Sequence, residues 1–297
     1  MRRALLVLSI VVAATLVLAG TVVAGVSIAR VLADVYLAQV AAGEGDGAGD
    51  DRGTDPGQGG IGGGSADGPG IESDEDFGTV EVYDVMASGE LDPPAAGDAA
   101  DVWGLYVDLV GAEVAGASIL QFKVGDAPES DTLAYVVQDR DPQYWILVVN
   151  LAIVDEPDLL AATLVHEHAH VFSYAETQFD ARPTSCSTFE VAEGCVLSDA
   201  YLWAFYEEFW SGYPEHPDLE NTDPDIAYDF YLAHEEDFVS DYAATNIGED
   251  FAESFMTYVL EDDWSPRTPT GAKLSFFDRY PELVELRERM RAALGAA

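Results

Sequence analysis

The chain has 297 residues, with 55 acidic side chains against 13 lysines and arginines and a formal net charge of −42 at pH 7. A field of that sign repels phosphate backbones, so nucleic acid is excluded as a partner. The length and an apolar fraction of 48% allow one large domain with a substantial core.

The first element is a charge-free run of 26 residues, Ala4 to Ala29, preceded by Arg2 and Arg3. A signal-peptide core needs about 7–15 apolar residues and a bilayer span roughly 20, so the run has the length of a spanning helix. Residues 1–30 are expected to be a transmembrane anchor in the lipid bilayer. The positive-inside bias then places everything after Arg30 outside the cell membrane. The alternative is a cleaved signal, with small residues for processing at Ala19-Gly20 or Ala24-Gly25, which gives a secreted protein. Residues 31–76 follow as a juxtamembrane segment and linker. Positions 41–76 hold 13 glycines, ten acids and one arginine. That composition cannot bury enough apolar surface to offset its ordering entropy, so a flexible, self-repelling tether is expected.

Residues 77–297 form the expected domain, with 44 acidic against nine basic side chains. Ser118–Val124, Thr132–Gln138 and Tyr144–Asn150 read as strands, the last two joined as a hairpin through Asp139–Pro142. The pattern changes at Pro157, a residue suited to the first helical position, and a helix is expected from there to about Tyr174. Further helices are expected at Ser198–Trp210, around Ile226–Tyr242, at Glu249–Leu260 and at Pro281–Leu294. Strands followed by helices argue for an α+β fold rather than a parallel sheet. The two cysteines, Cys186 and Cys195, have eight residues between them; in an exported domain they are expected to form a disulfide pinning a surface loop.

His166-Glu167-His168-Ala169-His170 matches H-E-x-x-H. On a helix, residues four apart share a face, so His166 and His170 aim at one point, while Glu167 lies about 100° round. The pattern is that of a zinc site whose glutamate is the general base. His168 points to the opposite, apolar side with Leu164 and Val171 and reads as a packed histidine. A third protein ligand is needed. Glu249 and Glu253 lie i and i+4 at the start of a helix. One can ligate the metal while the other accepts the N–H of a ligating imidazole, and the spacing leaves open which does which.

These residues resemble the glutamate-zincin (gluzincin) peptidases. The resemblance is carried by His166–His170, by Glu249 with Glu253, and by Tyr242 seven residues before Glu249. The Tyr-x-x-Thr-Asn-x-x-Glu-x-Phe-Ala-Glu-x-Phe pattern from Tyr242 to Phe255 is similar to the catalytic domain of anthrax lethal factor. Residues 130–262 also resemble zinc-binding metallopeptidases exported by bacteria, through the Cys186 to Glu193-Gly194-Cys195 loop and the helix ending Phe209-Trp210. The chain departs from lethal factor at Asp250, where that protein has an apolar residue.

The resemblance implies a zincin-like fold: a small upstream β-sheet, the H-E-x-x-H helix and a mostly helical C-terminal lobe. It implies one Zn2+ held by His166, His170 and Glu249, with Glu253 behind His166. Glu167 would be the base for the attacking water, and Tyr242 would stabilise the oxyanion. The substrate would be a peptide or protein pairing with the Tyr144–Asn150 strand. Two other classes stand beside a zinc peptidase: a zinc-containing binding module without activity, which the presence of Glu167 argues against, and a zinc amidase acting on cell-wall crosslinks. Nothing in the sequence sets an oligomeric state.

Overall fold

A computed structural model of the chain describes residues 68–295. The expected anchor at 1–30 and most of the linker lie outside the described residues. Among the described residues no helix is long and apolar enough to cross a membrane.

The main sheet has the order β1-β2-β4-β6-β5, with β3 (Leu91–Asp92) paired to the other end of β2. Its strands are β1 (Gly70–Asp74), β2 (Gly78–Val85), β4 (Ile119–Gly125), β5 (Ala134–Gln138) and β6 (Trp145–Asn150). All pairs are antiparallel except β4 with β6. The β5–β6 hairpin lies where the sequence places it. Three strands of this sheet were not expected: β1, β2 and the two-residue β3. β2 carries Val80 and Val82 inward against Phe77 and Val148, a small apolar cluster separate from the main core. β1 falls inside the stretch read as linker, which moves the start of the folded domain forward from residue 77. Its composition hides it because it buries almost nothing. It is held instead by its ladder to β2, by Lys123 Nζ on Glu72 at 2.6 Å, and by Asp74. The Asp74 carboxylate accepts the backbone N–H of Asp76 and of Phe77, both at 2.9 Å, and also takes the Tyr135 hydroxyl.

Helices cover one face of this sheet. α1 (Asp98–Val110) and the short α2 (Ala112–Ser118) precede β4. α1 sends Val102, Tyr106 and Leu109 into the core with no exposure, each contributing about 1.5–3 kcal/mol. α3 (Pro157–Ser173) runs between β5 on one side and the C-terminal helices on the other, so almost every side chain from Leu159 to Ala169 is buried. A helix enclosed this way reads as apolar nearly all round.

A second, three-stranded sheet follows, in the order β7-β9-β8: β7 (Phe179–Asp180), β8 (Glu190–Val191) and β9 (Gly194–Val196). The expected disulfide is present, joining Cys186 to Cys195 across 5.5 Å between their Cα atoms.

The C-terminal part is helical, with α4 (Tyr201–Phe205) continuing into a π-helical turn, Tyr206–Trp210. α5 (Pro224–His234), α6 (Ile247–Leu260), α7 (Pro269–Phe277) and α8 (Pro281–Ala293) complete it. The helix expected around Ile226–Tyr242 stops at His234. Glu235, Glu236 and Asp237 follow, and three acids there oppose the negative end of the helix dipole. The chain instead makes two 3-10 turns, Glu235–Asp237 and Tyr242–Ala244, and the second delivers Tyr242 to α3. The result is α+β, with one parallel pair inside a mostly antiparallel sheet.

Candidate metal centre

His166 and His170 project from α3 with their rings 4.8 Å apart and their Nε2 atoms 3.1 Å apart. α6 packs across them. Its first turn is capped by Asn246, whose side chain accepts the Glu249 N–H at 3.0 Å. The preceding Gly248 lets that turn come close: a Cβ there would lie 2.4 Å from the Tyr174 hydroxyl. The approach brings Glu249 Oε2 to 3.2 Å from His166 Nε2 and 3.4 Å from His170 Nε2.

The three donors therefore form a triangle with edges of 3.1, 3.2 and 3.4 Å. Metal-ligand bonds of about 2.0–2.1 Å at tetrahedral angles require edges of about 3.3 Å. Glu249 Oε2 is buried and makes no hydrogen bond, a costly arrangement for a carboxylate unless a cation completes it. His166, His170 and Glu249 are thus a group that can hold a metal ion. They are the three residues singled out from the sequence.

The charges agree. Burial alone would raise Glu249, but the His170 and His166 rings hold its carboxyl well below the usual carboxylate range. Burial alone would lower His166, but Glu249 and Glu253 on either side of its ring raise it well above the usual imidazole value. The site stabilises positive charge at this point, as a proton or as a metal that displaces it.

Glu253 lies one turn beyond Glu249. Its Oε1 meets His166 Nδ1 at 2.9 Å, and its Oε2 accepts the Ser240 hydroxyl at 2.6 Å. Ser240 Oγ in turn accepts the Ala243 N–H at 3.0 Å, tying the turn that carries Tyr242 to the same carboxylate. The Tyr242 ring stands 6.0 Å from the His166 ring. His168 faces away, buried, with its Nδ1 3.0 Å from the Tyr106 hydroxyl, and burial lowers it to about 4. The packed role read for it from the sequence holds.

Glu167 is 7% exposed and raised by burial, although His166 and His170 nearby pull it back. The Val136 backbone also pulls it down slightly. Glu167, His166 and Tyr242 line two adjoining cavities. One, of about 250 Å³, is mostly apolar, with Leu133, Leu159, Ala162 and Met256 in its wall. The other, of about 360 Å³, opens beside His170 and carries Glu193 and Glu220. Glu193 sits at the turn between β8 and β9, raised by burial and by Glu220, whose Oε1 accepts the Ala192 N–H at 2.8 Å.

One expectation is overturned. The Tyr144–Asn150 strand, β6, is bonded to β4 on one side and β5 on the other, so it has no edge for a peptide. The edge belongs to β5. Asn150 N–H to Leu133 O and Asp139 N–H to Tyr144 O fix the alternation, which leaves the backbone groups of Ala134, Val136 and Gln138 facing outward over the site.

Comparison of the chain with protein-family models, with curated proteins and with solved structures finds no match.

Proposed function

We propose that this chain is a zinc-dependent peptidase of zincin-like fold, exported and held at the outer face of the cell membrane by residues 1–30. The observation that carries the reading is the donor triangle of His166, His170 and Glu249 with the Glu167 carboxylate beside it. Two imidazoles and one carboxylate leave a fourth position open, the donor set of a hydrolytic zinc site rather than of a closed structural one. When bound, zinc supplies Lewis acidity at this point.

The remaining steps belong to side chains. An extended peptide adds to the outward edge of β5, and one of its side chains enters the apolar cavity of about 250 Å³. Glu167 takes a proton from the attacking water and passes it to the leaving amine; its burial raises its basicity toward that task. The Tyr242 phenol donates to the oxyanion. Glu253, steadied by Ser240, fixes the orientation and tautomer of His166.

The test is digestion of a general casein-type substrate by the full chain, with and without chelator, beside Glu167→Gln. Chelator should abolish hydrolysis, and Glu167→Gln should keep fold and metal while losing activity by several orders of magnitude. Wild-type turnover in Glu167→Gln would exclude it as the base.

A further inference from the structure

Asp250 follows Glu249 on α6 and turns into the core, where it is fully buried. Donors from three elements converge on its carboxylate. Lys273 Nζ of α7 lies 2.6 Å from Oδ2, Trp210 Nε1 lies 2.7 Å from the same oxygen, and Ser254 Oγ lies 3.3 Å from Oδ1. Lys273 is itself 2% exposed, and its ammonium stands 4.0 Å from the centre of the Phe238 ring. Phe238 opens the segment that supplies Ser240 to Glu253 and Tyr242 to His166. Trp210 ends the π-helical turn Tyr206–Trp210, a rare geometry that is frequent at functional sites.

Stability does not account for this cluster, because a buried ion pair is commonly no better, and often worse, than apolar groups of the same size. What charged hydrogen bonds add is direction. The phenyl rings of Phe251, Phe255 and Phe277 pack around α6, but apolar attraction carries no fixed direction. A carboxylate some 5–6 Å from a helix axis moves by about 1 Å when the helix turns by about 10°. Metal donors tolerate about 0.2 Å. Rotation of α6 is therefore the coordinate that most needs fixing, and Asp250 fixes it one residue from Glu249.

We propose that the Asp250–Lys273 pair, with Trp210, is a positioning device for the metal centre: it locks the rotation of α6 so that Glu249 meets His166 and His170. The inference rests on the metal-binding reading above. It is tested on the full chain by titrating Zn2+ and Co2+ and recording the visible absorption of the cobalt form, beside thermal unfolding of the metal-free protein. The double variant Asp250→Leu/Lys273→Met replaces the pair with apolar groups. It should melt at or above the wild-type temperature, bind either metal at least tenfold more weakly, and show a weaker, shifted cobalt spectrum. Trp210→Phe keeps both charges and removes one donor; it should weaken metal binding by about threefold with the fold intact. Folded variants with wild-type affinity and an unchanged cobalt spectrum would overturn the proposal. A wild-type chain that takes up no metal fails a different test, the metal-binding reading itself, in the same titration.

Discussion

Glu253 Oε1 lies 2.9 Å from His166 Nδ1, the ring nitrogen opposite the one that Glu249 approaches. The two carboxylates, one helical turn apart, thus address the two nitrogens of one imidazole. Removing Glu249 deletes a donor, whereas removing Glu253 leaves the donors in place but frees the ring. Glu249→Ala should therefore be purified without metal. Glu253→Ala should still bind zinc supplied in excess, with affinity about 10–100-fold lower. Metal content after dialysis separates them, and the reverse pattern would show the roles exchanged.

Gly248→Ala should destabilise the protein by about 1–3 kcal/mol in denaturant titration, because its Cβ would press against the Tyr174 hydroxyl. It should weaken metal binding as well, since Tyr174 packs on His170 and residue 248 adjoins Glu249. Unchanged stability and affinity would mean that Tyr174 yields freely.

How far the site was legible follows from these contacts. His166 with His170, and Glu249 with Glu253, are each paired by helical spacing, a local property that could be read directly; which glutamate faces the two Nε2 atoms was given only by the resemblance. Ser240 could not, because an irregular turn delivers it and no pattern marks it. Glu193 carried only the weak signal of a Glu-Gly-Cys loop. The edge role of β5 depends on which strand lies beyond β6, a non-local fact. Asp250 stood out as a departure in a pattern, but nothing in the sequence pairs it with Lys273. The strand at Gly70–Asp74 was hidden because its support is a ladder and polar contacts rather than buried apolar surface.

That strand carries a pH dependence. Burial alone would raise the Asp74 carboxyl, but the Tyr135 hydroxyl, the N–H groups of Phe77 and Asp76 and the nearby Lys123 hold it below the ordinary value of 3.8. A carboxyl with a folded value below its unfolded one contributes stability that is present above about pH 4 and is lost as pH falls through the folded value. In Asp74→Asn this contribution is absent. The stability gap between wild type and Asp74→Asn should narrow as pH falls from 5 to 2, followed by urea unfolding at each pH. A gap independent of pH would remove Asp74 as the titrating group.

Whether His166, His170 and Glu249 hold a zinc ion is read from the metal content of the full chain purified without chelator. One zinc per chain is expected, lost in Glu249→Ala and retained in Glu167→Gln. A wild-type protein that contains no zinc and takes up none when it is added would contradict it.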